Sequence, residues 1–172
     1  GTTTLGLKAH EFRKLVQLPP RVRPACEIAL DIHAADHVDR VRLGECGWRV
    51  VDPRVVAGDP AAFRRYVQGS WAEFSVAQGV YVETGSGWFS DRTTRYLASG
   101  RPALVQDTGL REHYPVGEGL LLFSTLDEAV EGSEAIERDY PRHARAARLI
   151  AEEYFDARRV LSDVAATIGL TS

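Results

Sequence analysis

The chain has 172 residues, 44% of them apolar and 26% charged, with a formal net charge of −3 and a pI near 6.0. That length suits one ordinary domain with a real core, and the mild acidity excludes a protein built chiefly around a phosphate backbone, so no nucleic acid partner is expected. No apolar run reaches the roughly 20 residues of a membrane span, and the two cysteines, Cys26 and Cys46, lack a CxxC spacing, which leaves a disulfide framework, a zinc ribbon and a redox dithiol all unsupported.

With no signal-like stretch after Gly1, these features point to the reducing cytoplasm. Methionine is absent, and Lys8 and Lys14 are the only lysines among 21 basic residues, a bias expected of a GC-rich genome.

In chain order, "AHEFRKLVQLPP" predicts a short helix stopped by Pro19 and Pro20, a lead-in rather than core. "ACEIALDIH" follows, its Ile28, Leu30 and Ile32 marking a first buried strand. "ADHVDRVRLGECG" places Val38, Val41 and Leu43 near helical spacing and closes at Gly47, and "WRVVD" is a second strand ended by Pro53. A helix then opens on Asp59 and Pro60 and buries Phe63, Tyr66 and Val67, before a third strand in "WAEFSVA".

Residues 90–99 predict another helix, "GRPALVQDT" a fourth strand centred on Ala103, Leu104 and Val105, and "EGLLLFST" a fifth. Three amphipathic segments complete the chain, carrying Leu126, Ala129, Val130 and Ile136, then Ala147, Ile150 and Tyr154, then Leu161, Val164 and Ile168. Strands alternating with helices across short connections give an α/β domain: Rossmann-like, three-layered, with a mostly parallel sheet and extra C-terminal helices. Its ligand belongs at the carboxyl ends of the strands.

Two loops carry the chemistry. In "SGWFSDRTTRYLASG", Ser90 is a good N-cap, the free N–H groups of Asp91, Arg92 and Thr93 form an anion site at the positive end of the helix, and Arg92 can add charge-assisted bonds. A second reading fits the same residues: a plain cap, with Arg92 paired to a carboxylate, and Asp91 already supplies negative charge there. In "DTGLREHYPVGEG", too rich in glycine and proline to be helical, Gly109 lets main chain approach a ligand and Glu112 can accept from sugar hydroxyls. An ordinary surface turn is the alternative.

His33 and His37 form an HxxxH pair beside Asp31 and Asp36, but His33 lies at a strand end, so it is taken as a cleft-lining residue and no metal is expected. His113 is a cleft candidate or a solvated turn residue. Trp88 can stack on a base or sugar or pack beneath the turn. The acidic run from Asp127 to Glu137 and the arginines after it read as solvated helix faces.

The stretch "SGWFSDRTTRYLASGRPALVQDTGLREHYPVGEGLLLF", together with "HARAARLIAEEYFD", resembles the carboxyl-terminal, donor-binding domain of bacterial GT-B glycosyltransferases, notably the group related to spore-maturation CgeB-like proteins. The likeness extends over nearly the whole chain. It implies one half of a GT-B fold, with residues 25–172 as the nucleotide-sugar-binding domain and residues 1–24 as a lead-in from an acceptor-binding N-terminal domain. It also implies a nucleotide diphosphate sugar as donor, no metal and no other cofactor. Carried over residue by residue, the phosphate site falls on Ser90, Asp91, Arg92 and Thr93, with Arg92 stabilising the leaving diphosphate, and the neighbouring turn falls on Thr108, Gly109, Leu110 and Glu112.

The chain departs from the retaining members, which carry two glutamates with seven residues between them where this sequence has Gly87 and Arg95. Glu112 stands in as the ribose candidate. The rival from another class is a non-catalytic Rossmann-like interaction module. A receiver domain fits worse, because "WAEFSVAQG" offers no acidic residue at its strand end.

Overall fold

The computed structural model describes residues 6–170. Two parallel sheets form its centre. β1 (Glu27–Ala29) pairs with β2 (Arg49–Val51), with Ile28 opposite Val50. β3 (Glu73–Ser75) pairs with β4 (Ala103–Gln106), which pairs in turn with β5 (Leu120–Phe123), so that Phe74, Leu104 and Leu121 share a row.

The nine helices described are α1 (Lys8–Lys14), α2 (His37–Glu45), α3 (Pro53–Val56), α4 (Pro60–Gly69), α5 (Gly79–Thr84), α6 (Asp91–Ala98), α7 (Leu126–Arg138), α8 (Tyr140–Tyr154) and α9 (Ala157–Thr167). Local chemistry sets many of their starts. The carboxylates of Asp59, Asp139 and Asp156 accept from backbone N–H groups in the first turns of α4, α8 and α9, and Thr125 does the same for α7.

Side-chain alternation in the larger sheet builds the layers. Ala103, Val105 and Leu120 face Leu97 of α6 and Ala147, Ile150 and Ala151 of α8. Leu104, Leu121 and Phe123 face the other way, onto Ala129, Val130 and Ile136 of α7 and onto Leu15, Val16 and Leu18. The result is the expected α/β architecture of Rossmann-like character, with helices on both faces of a parallel sheet.

Several expectations need correction. The N-terminal segment is not a mere lead-in, because Leu15, Val16 and Leu18 are buried in the core and Trp48 Nε1 donates to Val16 O at 2.8 Å. The parallel sheet is divided: no strand pairing joins β1 to β3 among the described residues. Side chains span the break instead, with Phe12 packed at 5.0 Å on Trp48, which lies 6.1 Å from Phe74.

Pro53 does not merely end a strand. It opens α3, where Asp52 accepts from Arg54 N–H at 2.8 Å. The loop after β4, expected to lack helix, contains a 3-10 turn at Leu110–Glu112. α5 has no counterpart in the sequence reading.

Candidate functional site

The larger sheet delivers its chemistry at the end of β4. There the chain leaves Gln106, passes Asp107 and Thr108, and turns at Gly109 with φ of 91°. The second loop, residues 85–90, joins α5 to α6 and contains Gly85 and Gly87, both with positive φ.

The two loops are physically joined. Gly87 N–H donates to Thr108 O at 2.6 Å, and Thr108 Oγ1 donates to Trp88 O at 2.7 Å. Gly109 is needed on two counts: its backbone lies in the left-handed region, and a Cβ there would stand 2.8 Å from Gly85 O. The Asp107 carboxylate closes the turn by accepting from Gly109 N–H at 2.9 Å, and Arg111 Nε reaches the same carboxylate at 3.2 Å.

Each sequence candidate has a definite place. Ser90 is buried, and its side chain makes no capping bond. Asp91 is exposed and pairs with Arg95 at 3.4 Å, which offsets part of its negative charge at the helix mouth. Thr93, Thr108 and Leu110 are each 1% exposed, main chain included, so they build the junction rather than present groups at its surface. Trp88 stacks face to face on Tyr81 at 5.2 Å, while Glu112 and His113 are exposed beyond the turn.

His33 belongs to the smaller sheet. It follows β1 and accepts from Ala35 N–H through Nδ1 at 3.2 Å, a capping role. Among the described residues no group of three or more His, Cys, Asp and Glu is placed to hold a metal ion.

Arg92 is already engaged. Its Nε donates to Glu73 Oε1 at 2.6 Å and its Nη2 to Ser75 Oγ at 3.0 Å, while no hydrogen bond reaches Nη1 among the described residues. Glu73 is 4% exposed, and its Oε2 has no partner among the described residues. Beside this pair, burial and the neighbouring Arg92 push the Lys8 ammonium below its usual pKa, against the opposing pull of Glu73.

A second buried acid is Glu11 of α1. Gln106 Nε2 donates to Glu11 Oε2 at 3.0 Å, and Gln106 Oε1 accepts from Ala77 N–H at 3.1 Å, tying α1 to the ends of β3 and β4. Burial opposes ionisation of Glu11, but the hydrogen bonds from Lys14 and Gln106 outweigh it and hold the carboxyl below its ordinary value.

Sequence reasoning missed Glu73, Gln106 and Glu11. The available signal was alternation: in "EFSV" the polar Glu73 and Ser75 point one way while Phe74 and Val76 point into the apolar core. No helix among the described residues is long and apolar enough to cross a membrane.

In comparisons with known proteins, the chain matches no family model, no curated protein and no solved structure.

Proposed function

We propose that the chain is the nucleotide-sugar-binding half of a metal-independent GT-B glycosyltransferase. The observation that carries this reading is the hydrogen-bonded pair of glycine-bearing loops, joined at Thr108, beside the start of α6. An anion placed there meets free N–H groups at the positive end of a helix. Arg92 is held by Glu73 and Ser75, and its Nη1, which makes no hydrogen bond among the described residues, is the donor it would offer a diphosphate oxygen. As the donor's sugar–phosphate bond breaks, charge accumulates on the diphosphate, and preorganised donors lower the barrier because they need no rearrangement.

Glu112, exposed on the turn after β4, serves the ribose or sugar hydroxyls. Trp88, held flat against Tyr81, offers its other face to a base. Transfer itself requires an acceptor-binding domain facing this one.

Calorimetric titration with UDP, GDP, TDP and their sugars tests the reading. One nucleotide is expected to bind saturably, and Arg92→Ala is expected to weaken it by about tenfold, about 1.4 kcal/mol. Because that substitution leaves Glu73 buried without its cation, Arg92→Lys is titrated alongside and both variants are checked by thermal melting. A folded chain that binds none of these compounds would overturn the reading, and unchanged affinity in Arg92→Ala would remove Arg92 from it.

One observation favours the rival interaction module. Leu161 and Val164 of α9 and Ile168 just after it form an exposed apolar stripe that nothing among the described residues covers. Under that reading no nucleotide binds, α9 docks a partner protein, and the chain alone elutes as a clean monomer or fixed dimer over a concentration series.

A further inference from the structure

The break between the two sheets leaves two open strand edges on one space. Along β1, Cys26 O accepts from Arg49 N–H at 2.9 Å and Leu30 N–H donates to Val51 O at 3.1 Å, so these positions bond to β2. Successive backbone groups of a strand point to opposite sides, which turns the N–H and C=O of Glu27 and Ala29 away from β2. Along β3, Glu73 N–H donates to Pro102 O at 2.9 Å on the β4 side, and the same alternation turns the groups of Phe74 away from β4.

Neither edge meets another strand among the described residues. Glu27, Ala29 and Phe74 all line one cavity of about 1030 Å³. β1 is half-buried throughout, as is Phe74, whereas β4 is wholly buried, so the two open edges are the ones within reach from solvent. Backbone groups left unpaired in such a setting are costly, and an open edge is a template for a further strand.

The charges around the cavity select the partner. Arg13 is paired with Asp39, Arg49 with Glu27 and Arg92 with Glu73. Lys8, Arg42 and Arg65 also line the cavity and form no ion pair among the described residues, and Asp36 is the one lining acid left to oppose them. We propose that an extended acidic segment of a partner protein inserts between β1 and β3, bonding through its backbone to Glu27 and Ala29 on one side and to Phe74 on the other. The unpaired cations meet its carboxylates, and apolar side chains at alternate positions meet Phe12, Trp48 and Ile136. This inference does not depend on the nucleotide reading.

The probe is the acetylated, amidated pentapeptide Glu-Val-Glu-Val-Glu, titrated into the 15N-labelled chain and followed by amide chemical shifts and amide exchange. Two controls accompany it: the same peptide N-methylated along its backbone, and Lys-Val-Lys-Val-Lys. In the free chain the amides of Glu27, Ala29 and Phe74 are expected to exchange at least tenfold faster than those of Ile28 and Ser75, which face β2 and β4. The acidic peptide is expected to bind saturably and to slow those three amides at least tenfold, while both controls bind at least tenfold more weakly. Absent binding of the acidic peptide would overturn the proposal, and so would protection confined to residues away from the cavity. Equal affinity of the N-methylated peptide would remove the backbone pairing, and equal affinity of the basic peptide would remove the charge selection, each contradicting the proposal. Slow exchange of all three amides in the free chain would show the two edges already paired with each other, which also overturns it.

Discussion

The two sheets of this molecule are built to different standards. All four residues of β4 are buried, and β5 exposes little more, whereas β1 is half-buried throughout and β2 opens with an exposed Arg49. Helices cover both faces of the larger sheet. The smaller sheet is tied to it through the Phe12, Trp48 and Phe74 rings and the bond from Trp48 to Val16, with a cavity alongside. The contrast teaches where precision is available: the loop pair at Thr108 rests on the tightly packed half, and His33, by sequence a partner of that site, rests on the other.

The sharpest way to break the comparison is to cut matched apolar volume from each half. Leu97→Ala removes a side chain that is 0% exposed between α6 and α8, and an unfolding titration is expected to show a loss of about 3–4 kcal/mol. Ile28→Ala, on the half-buried β1 beside the cavity, is expected to cost about 1–2 kcal/mol. Equal losses would contradict the difference between the halves.

A somewhat smaller effect is expected from Gly109→Ala. The substitution strains a left-handed position and drives a Cβ against Gly85 O, so about 1–3 kcal/mol of stability should be lost. The same change pushes the two loops apart. Nucleotide affinity in the still-folded variant is expected to fall about tenfold or more, and a variant that keeps full affinity would detach the loop geometry from binding.

The smallest effect is one of pH. Burial first, and Arg142 next, lower the His143 pKa, against Glu118 and Asp139, and its neutral Nδ1 accepts from Gly119 N–H at 3.2 Å. The unfolded chain therefore takes up the proton more readily than the folded one. This contribution is complete above the ordinary histidine value of about 6.5 and is lost as pH falls from there toward the lower folded value. The melting temperature of the unaltered chain is expected to drop more steeply between pH 7 and 5 than that of His143→Gln, whose amide oxygen can still accept from Gly119. Parallel curves would contradict the assignment.

What was legible in the sequence follows the same division. β4, β5, α6 and the three C-terminal helices announce themselves because their apolar residues recur at one period and their ends carry Ser90, Thr125 or Asp156. The nearness of the 85–90 loop to the turn at Gly109 entered only as an implication of the resemblance, and the bonds that make it, from Gly87 N–H to Thr108 O and from Thr108 Oγ1 to Trp88 O, had no local signal. The core role of Leu15, Val16 and Leu18 was not legible, because two prolines beside them suggested an ending rather than a buried crossing. The break between β1 and β3 is a matter of long-range packing by Phe12 and Trp48, which no local pattern encodes. Nor could the sequence tell that the carboxylate for Arg92 would be the buried Glu73 on a neighbouring strand.

Amide hydrogen exchange with and without the nucleotide that binds most tightly tests the central claim most directly. The account expects slowed exchange in residues 85–93 and 107–113 together, with β1 and β2 unchanged. Protection that leaves both loops untouched, or that appears only around β1 and β2, would contradict the placement of the donor site at the junction of Gly87 and Thr108.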